Sequence, residues 1–508
     1  MIEPRAPLVP YRDAVVGLLA LVVFVGMWAL SSPPLSTPDE KWHIANIWCA
    51  PGSQPEDCRD RSFNELTGYV EASPSYFPRH CFFRQPTIPA NCADPDPFTQ
   101  RAPLLQEGSY YLPGFQVAMN QLVGDDGSRS ILMMKLLNGL LFVLIISAIL
   151  IGATTRLARA CVMSIAVTLT PLSIWLITSI NPSGWGITSL NGSWILTLAL
   201  LGVVRTQNYR NLSFGTRLSM LAALAMSFFM ALQARSDVLL LFIAVIVVIA
   251  ITETLSYFHT LRSVRAMSVA LGVAALTVFV LGWRFGTEGI LGYKLDLASR
   301  FARAGGISSW QWLSNWLTHF PAVFLDAYGA SGLGENDVRI PAVVGVSSLI
   351  VLGGTFAFAS QEISWKQLSS VAILAVSLVA MLWFASIEMD LYNVPGRYVM
   401  PLFPAIVGTY IYYSRTQTHF FDVIRLRRIA IVILGVNNGL GLYAVVERYS
   451  AGSSAGLRVI PVRFDEWWWD FLPIGPNAVV ILGSVSWVVF LVYAFRFLDE
   501  RKLREAAS

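Results

Sequence analysis

The sequence predicts an all-helical, polytopic membrane protein with about twelve transmembrane helices. Apolar residues make up 55% of the 508 residues and charged residues only 13%, about half of the roughly 25% that is typical of a soluble domain. The apolar residues are concentrated in runs close to the roughly 20 residues that cross a bilayer core. This composition excludes an ordinary soluble enzyme. A net charge of only +4 without a basic run also argues against nucleic acid as a partner.

The transmembrane helices follow from the positions of the apolar runs. The first run is not followed by a convincing small-residue cleavage site, so we expect it to remain as a membrane span. The predicted spans lie near residues 14–30, 131–152, 161–179, 187–204, 218–234, 238–256, 266–283, 341–359, 367–386, 398–413, 429–446 and 475–495.

Basic residues predict the orientation of these spans. With the N-terminus in the cytoplasm, successive inner segments contain Arg156 and Arg159, then Arg205, Arg210 and Arg217, then Arg262 and Arg265, then Lys366, then Arg415, Arg425, Arg427 and Arg428, and finally Arg496, Arg501, Lys502 and Arg504. This asymmetry obeys the positive-inside rule. It predicts that both termini lie in the cytoplasm.

Two outer loops are much longer than the others and divide the chain into five segments. We predict a cytoplasmic N-terminus and first span (1–30), a first extracytoplasmic loop (31–130), spans two to seven (131–283), a second extracytoplasmic loop (284–340), and spans eight to twelve with the C-terminus (341–508). A structureless stretch of about 100 residues is unusual in a compact protein. The first loop is therefore expected to form a small packed subdomain.

Cysteine placement supports a packed first loop. Four of the five cysteines fall within it, namely Cys49, Cys58, Cys81 and Cys92. Thiols on the oxidising side of the membrane predict two disulfides. Three pairings are open; the pairing of neighbours in sequence, Cys49 with Cys58 and Cys81 with Cys92, is slightly favoured over the others. Four unpaired, buried thiols are the alternative to disulfides.

A helix is expected at the start of the first loop, over residues 35–50. Thr37 is suited to cap it, Pro38 suits its first position, and Glu40 completes a capping box. At about 100° per residue, Asp39, His43 and Asn46 share one stripe. Such a helix would lie along the membrane surface with its aromatic face toward the lipid.

Asp39 is the better candidate for a catalytic base. Glu40 has a structural role in the capping box that competes with a catalytic one, whereas Asp39 otherwise only favours the positive end of the helix dipole. His43 lies one turn away and could orient Asp39. Neighbouring residues on a helix point about 100° apart, so Asp39 and Glu40 do not form the facing carboxylate pair of a glycosidase. One base fits a reaction in which the leaving group is already a phosphate.

The candidate for holding that phosphate is Arg397, in the segment Asn-Val-Pro-Gly-Arg-Tyr before the tenth span. An arginine on the outer side opposes the positive-inside bias. It could reach toward lipid headgroups or pair with Glu388 or Asp390. It could also grip a phosphate with two hydrogen bonds, with Gly396 allowing close approach. Arg235 is a second candidate, although Asp237 could neutralise it.

Several aromatic residues are weaker candidates. Tyr110, Tyr111 and Tyr398 could line a substrate site with Asn46, but an aromatic belt at the membrane interface explains such tyrosines equally well. Trp310, Trp312, Trp316 and His319 are more typical of an interfacial helix than of sugar stacking. No zinc-binding or nucleotide-binding motif is present in the sequence. A divalent cation on Asp39 and Glu40 remains open as a cofactor.

The segments Pro-Asp-Glu-Lys-Trp-His at 38–43 and Gly-Arg-Tyr-Val-Met-Pro at 396–401 resemble the signatures of a bacterial family of predicted membrane proteins of unknown function. That family in turn resembles the GT-C glycosyltransferases, in which long first and fourth outer loops flank the active site. The resemblance implies Asp39 as the base, with Glu40 and His43 beside it, and Arg397 near the donor phosphate. One departure is Ser183, where an acidic residue is expected after Asn-Pro.

These observations predict a glycosyltransferase that moves a sugar from a polyprenyl-phosphate donor to an envelope glycan or glycolipid on the extracytoplasmic face. The arginine-rich composition, with 31 Arg and five Lys, and the resemblance favour the plasma membrane of a bacterium with an actinobacterium-like envelope. In such an envelope arabinofuranose or mannose would be the sugar, and arabinofuranose is preferred. A transporter or flippase of lipid-linked glycan precursors is the principal alternative. A scaffold protein, and a ligase or polymerase of similar architecture, are further alternatives.

Overall fold

The computed structural model describes residues 12–48, 69–72, 82, 85–90, 100–103, 114–206, 214–261, 314, 323, 325–328, 338–368, 371, 374–375, 396–416, 420–452 and 467–507. The α-helices in these ranges are α1 (Arg12–Leu30), α2 (Glu40–Trp48), α3 (Gly114–Asn120), α4 (Gly127–Gly152), α5 (Thr155–Thr168), α6 (Pro171–Ile177), α7 (Pro182–Thr206), α8 (Phe214–Ala234), α9 (Ser236–Leu261), α10 (Ala342–Ala359), α11 (Phe403–Tyr413), α12 (Ile424–Ala451) and α13 (Pro476–Ala507).

The prediction of a polytopic helical membrane protein is confirmed. Within the described ranges, six helices are long and apolar enough to cross a bilayer, namely α1, α4, α8, α10, α12 and residues Pro476–Glu500 of α13. Six of the predicted spans fall on these helices, and α7 and α9 cover two more. The predicted span at 266–283 and most of the one at 367–386 lie outside the described residues. The total of twelve spans stays a prediction.

The predicted span at 161–179 is not one straight helix. The chain forms α5 and α6, which meet at an angle of 104°. Pro171 occupies the first turn of α6, and the Thr170 side chain caps that helix by accepting a hydrogen bond from the Ser173 amide. Because proline cannot continue a helix from the preceding turn, the span is broken at this point.

The predicted span at 398–413 also begins irregularly. Two 3₁₀ turns, Gly396–Tyr398 and Met400–Leu402, precede α11, which has only 11 residues. Pro401 and Pro404 suit the first turn of a helix. In a later turn each would lack the backbone N–H that bonds to the preceding turn. The chain therefore forms two tight turns followed by a short helix.

A small antiparallel sheet occurs in the 31–130 segment. Strand β1 (Tyr69–Ala72) pairs with β2 (Gln100–Pro103), with Tyr69 opposite Pro103 and Ala72 opposite Gln100. The predicted all-helical fold class did not include this pair of strands. The expected packed subdomain over 31–130 stays a prediction, because many residues of this segment lie outside the described ranges.

Helix α1 lies at the centre of the packing that positions the candidate site. It packs against α13 and α4. The Phe24 ring stacks on Trp487 with centroids 4.7 Å apart, an offset arrangement that aromatic pairs favour. The turn after α1 is consequently enclosed by other helices, and Ser31, Ser32, Leu35 and Ser36 are each at most 2% exposed.

The opposite end of α13 is held by ion pairs. Arg159 on α5 pairs with Asp422 and with Asp499, and Arg427 on α12 pairs with Asp499 at 2.6 Å. Two arginines and two aspartates from α5, α12, α13 and the Phe420–Asp422 turn thus share charge. This cluster fixes the helix ends remote from the turn after α1.

Candidate functional site

The turn between α1 and α2, residues 31–39, carries the first candidate residue. Side chains from five other places in the chain bind polar atoms of this turn and of Leu30: Trp469 donates to the Leu30 carbonyl, Trp175 to the Ser32 hydroxyl, Lys135 to the Ser32 and Pro33 carbonyls, Tyr449 to the Ser36 carbonyl, and Asn181 to the Pro38 carbonyl. Buried carbonyls need such partners. The turn therefore has a single, well-determined path.

Two residues of this turn have left-handed backbone conformations. Leu35 has φ 66° and Asp39 has φ 58°. Aspartate tolerates this region better than most residues because its short polar side chain bonds locally, whereas leucine does not. The helix therefore begins at Glu40, later than the expected start beside Thr37 and Pro38. The left-handed residue redirects the Asp39 side chain away from the line of the helix.

Glu40 is a buried structural residue in this turn. Its Oε2 accepts a hydrogen bond of 3.0 Å from the Thr37 amide, which is the glutamate half of the predicted capping box. Its Oε1 lies 3.3 Å from the Lys135 Nζ, and both side chains are at most 1% exposed. A carboxylate so enclosed and paired is poorly placed to exchange a proton with a substrate.

Asp39 and Arg397 form the central contact of the site. The Arg397 Nη2 donates to the Asp39 Oδ2 at 2.9 Å. The Arg397 side chain is 6% exposed, while that of Asp39 is 27% exposed. A charge-assisted bond of this length is among the stronger side-chain interactions. The structure thus brings the two principal predicted residues into direct contact.

Gly396 lets the Arg397 turn pack closely on residues 325–328. The Gly396 amide donates to the Asp326 Oδ2 at 2.8 Å. A Cβ at this position would lie 2.4 Å from the Ala327 amide nitrogen, a separation that backbone atoms cannot accommodate without moving. Asp326 belongs to the second predicted loop and was not among the predicted site residues. It anchors the backbone that carries Arg397.

Tyr398 contacts both predicted arginines. The Arg235 guanidinium carbon is 4.1 Å from the centroid of the Tyr398 ring, and that of Arg397 is 5.5 Å away. Both distances are within the range of cation–π attraction. The Arg235 Nη1 also reaches the Ser183 hydroxyl at 3.4 Å. The Tyr398 ring therefore contacts two cationic groups near Asp39.

Ser183 and Asn181 connect these groups. Asn181 donates from Nδ2 to the Pro38 carbonyl at 2.7 Å and accepts from the Ser183 amide at 2.8 Å. Residues 181–183 at the start of α7, where an acidic residue was expected at Ser183, thus contact the Asp39 turn through Asn181 and Arg235 through Ser183. Neither Asn181 nor Lys135 was predicted as a site residue.

His43 is buried beneath the site. Its ring packs edge-to-face against Phe115, with centroids 6.3 Å apart. Burial, followed by the positive charges of Arg397 and Arg235, lowers the pKa of His43 from 6.5 to about 3. Loss of hydration disfavours the charged imidazolium. His43 is therefore neutral near pH 7 and contributes no cation to the site.

The remaining predicted residues fall into two groups. Asn46 lies on α2 and is 7% exposed, and the other described side chains of α2, namely Glu40, His43, Ile44, Ile47 and Trp48, are buried as well. Protein surrounds these side chains, so the face that carries Ile44 and Trp48 does not meet lipid as expected; the placement of the helix along the membrane surface stays a prediction. Outside the described residues lie Tyr110, Tyr111, Trp310, Trp312, Trp316, His319, Cys49, Cys58, Cys81 and Cys92. The disulfides therefore stay a prediction.

The described residues contain no group of three or more His, Cys, Asp or Glu side chains arranged to hold a metal ion. Asp39 and Glu40, the pair proposed for a divalent cation, bind Arg397 and Lys135 respectively. Cys161, the cysteine of the described ranges, is buried with a free thiol.

Comparison with known families adds one finding. Residues 21–406 match the family model described as "Predicted membrane protein (DUF2142)". The chain belongs to this family. The match includes the Asp39 turn and the Arg397 turn and extends over more than half of the chain, so the predicted membership of a family of membrane proteins is confirmed. No curated protein and no solved structure matches the chain.

Proposed function

We propose that this member of DUF2142 is a glycosyltransferase that transfers a sugar from a polyprenyl-phosphate donor to a cell-envelope glycan or glycolipid. The observation that supports this proposal most is the contact between the Asp39 carboxylate and the Arg397 guanidinium. One group is suited to accept a proton and the other to bind a phosphate. The same site needs no further acid, because a phosphate leaves readily.

In the proposed reaction, Asp39 accepts the proton of an acceptor hydroxyl. The hydroxyl oxygen then forms a bond to the anomeric carbon as the bond from that carbon to the phosphate oxygen breaks. The electron pair of the broken bond leaves with the polyprenyl phosphate. Direct displacement of this kind inverts the configuration at the anomeric carbon.

Arg397 and Arg235 are suited to hold the departing phosphate. A guanidinium matches two phosphate oxygens with parallel N–H groups. In the structure, Arg397 already holds a carboxylate, so an incoming phosphate would compete for its hydrogen bonds and release Asp39 toward the acceptor. Arg235 contacts the same Tyr398 ring, with its guanidinium carbon 4.1 Å from the ring centroid. The two cations would then stabilise the charge that develops on the leaving group.

Burial of the surrounding residues supports a reaction that excludes water. Arg397 and His43 are 5% and 3% exposed as whole residues, and electrostatic interactions strengthen when water is excluded. The proposal places this site on the extracytoplasmic face, with arabinofuranose as the preferred sugar. It also places both termini in the cytoplasm, in accordance with the positive-inside asymmetry.

A transporter or flippase is the second candidate function, and the break between α5 and α6 favours it. Discontinuous membrane helices line substrate sites in many transporters. In α5 and α6, however, every described side chain from Leu157 to Ile177 is buried. Among the described ranges this is the single bent pair that qualifies, whereas transporter repeats have matching breaks in both halves.

The test is a transfer assay with purified protein in liposomes, offered a panel of polyprenyl-phosphate sugars and acceptor glycans. The proposal predicts free polyprenyl phosphate and a new glycoside in equal amounts. Lipid movement is measured in parallel with fluorescent polyprenyl-phosphate sugars. Movement of the lipid across the bilayer without any glycoside would contradict the proposal and favour the flippase.

A further inference from the structure

The buried ion pair of Glu40 and Lys135 has more bonds than charge neutralisation requires. Besides the 3.3 Å contact with Glu40, the Lys135 Nζ lies 3.1 Å from the Pro33 carbonyl and 3.3 Å from both the Ser32 carbonyl and the Ser32 hydroxyl. An ammonium has three donors. Lys135 therefore bonds both to the beginning of the turn, at Ser32 and Pro33, and to its end, at Glu40.

The same pair brackets the two left-handed residues. Leu35 follows the carbonyls held by Lys135, and Asp39 directly precedes Glu40. The Glu40 carboxylate also binds the Thr37 amide between them. Left-handed conformations of residues other than glycine persist where the surrounding structure determines them. Lys135 and Glu40 supply this constraint from both ends of the turn.

We propose that Lys135 and Glu40 are positioning residues for the Asp39 carboxylate. By closing the turn over residues 32–40, the pair holds Asp39 in its left-handed conformation and directs its carboxylate toward Arg397. Glu40 takes no proton in the reaction. The catalytic consequence rests on the proposed function, but the placement of Asp39 against Arg397 does not.

The chemistry of the pair explains why an apolar replacement would not serve equally. Replacing a buried ion pair with apolar groups is often neutral for stability, whereas removing one partner leaves a costly buried charge. The apolar groups, however, cannot hold the Ser32 and Pro33 carbonyls. Removal of both charges is therefore expected to preserve folding while releasing the turn.

The test uses the double variant Glu40→Gln with Lys135→Met. Glutamine still accepts a hydrogen bond from the Thr37 amide, and neither residue leaves an unpaired charge in the interior. The control is Glu253→Gln with Lys366→Met, which removes a pair of similar separation, 3.2 Å between its charged atoms, whose side chains are more exposed, at 24% for Lys366 and 17% for Glu253. Both variants are purified as full chains and compared with the wild type for folding by size-exclusion chromatography.

The first readout is geometric and does not depend on activity. Cysteines are introduced by Asp39→Cys and Arg397→Cys, and the peptide linked between these two positions by a short bifunctional thiol reagent is quantified by mass spectrometry. The yield of this link is expected to fall severalfold in the Glu40/Lys135 background and to stay at the wild-type level in the control. An unchanged yield in the Glu40/Lys135 background would overturn the proposal.

The second readout is catalytic. With Asp39 displaced, kcat is expected to fall about ten- to hundredfold, while KM for the polyprenyl-phosphate donor stays near that of the wild type because Arg397 and Arg235 are intact. A loss of kcat without loss of the link would also overturn the proposal, since it would indicate a chemical role for the pair. If the wild type shows no transfer but the link is lost, the positioning role stands and the proposed function fails.

Discussion

The Arg397 guanidinium donates a 2.9 Å hydrogen bond to the Asp39 carboxylate across 358 residues of sequence. This bond joins the turn after α1 to the turn before α11, and Gly396 and Asp326 hold the second turn in place. The exposed fraction of the Asp39 side chain, 27%, is larger than the 6% of Arg397. A ligand entering the site would therefore meet the carboxylate with the guanidinium behind it.

Replacement of Arg397 by alanine is expected to weaken binding of the polyprenyl-phosphate donor. Loss of a hydrogen bond to a charged group costs about 1.5–3 kcal/mol, which corresponds to roughly ten- to hundredfold in the donor dissociation constant. Arg397→Lys keeps the charge but not the paired N–H donors. Its affinity for the donor should therefore lie between that of the wild type and that of Arg397→Ala. Donor binding measured by calorimetry checks this order, and an alanine variant with wild-type affinity would contradict it.

Tyr398 is expected to act through the face of its ring. Tyr398→Phe retains that face and should bind the donor like the wild type, whereas Tyr398→Leu removes the cation–π contacts to Arg235 and Arg397. Such contacts contribute about 0.5–2 kcal/mol, so the leucine variant should bind between about twofold and thirtyfold more weakly. Equal losses in both variants would show that the hydroxyl, and not the ring, matters.

Asn181→Ala is expected to destabilise the protein by about 1–3 kcal/mol, because it leaves the buried Pro38 carbonyl without its donor and the Ser183 amide without its acceptor. Asn191→Ala is the matched control, since the Asn191 amide donates only to Ile187 on its own helix. Thermal unfolding in detergent compares the two variants. A loss in Asn181→Ala no larger than that in the control would argue against the role of this bond in holding the Asp39 turn.

We expect the buried His43 to make the folded protein less stable in acid. Its pKa is near 6.5 in the unfolded chain and about 3 in the folded protein. Between these two pH values His43 is protonated in the unfolded chain but stays neutral in the folded protein. The free energy of unfolding therefore falls by about 1.4 kcal/mol for each pH unit as the pH decreases from about 6.5 toward 3. Above about pH 6.5 His43 is neutral in both states and causes no loss of stability.

The measurement is the unfolding midpoint of wild type and His43→Gln between about pH 7.5 and 4.5. Both proteins share every other titrating group, so the difference between their slopes reports His43. The glutamine variant should lose less stability in acid. Identical slopes would show that His43 is not held neutral in the folded protein.

Much of the site could be predicted from the sequence because its residues stand out locally. Asp39 follows a span directly, and Arg397 is a basic residue where the positive-inside bias disfavours one. Neither observation places the two residues in contact, since their separation in the chain exceeds any local pattern. That contact depends on how α1, α7 and α11 pack, which periodicity does not specify.

Lys135 and Asp326 were missed for different reasons. Lys135 lies inside the predicted span 131–152, and a charged residue within a span is itself a signal of function or of a buried partner. That signal was available and points to Glu40 only after the fold is known. Asp326 has no such signal, because its contact is with a backbone amide of Gly396, and backbone partners leave no pattern in a sequence.

The break between α5 and α6 shows how apolar content can mislead. Residues 161–179 are apolar enough to predict one span, yet Pro171 interrupts the hydrogen-bond ladder and Thr170 caps the second helix. The proline was visible in the sequence. Hydropathy dominated the prediction because a proline inside a membrane helix often produces only a kink.

The most direct measurement of the central claim compares the rate of sugar transfer by wild type and Asp39→Asn in the same liposomes. Asparagine has the same shape, tolerates the left-handed backbone at this position and cannot accept the acceptor proton as a base. We predict loss of transfer by at least about hundredfold, with donor binding to Arg397 retained. Transfer by Asp39→Asn at the wild-type rate would contradict the assignment of Asp39 as the base.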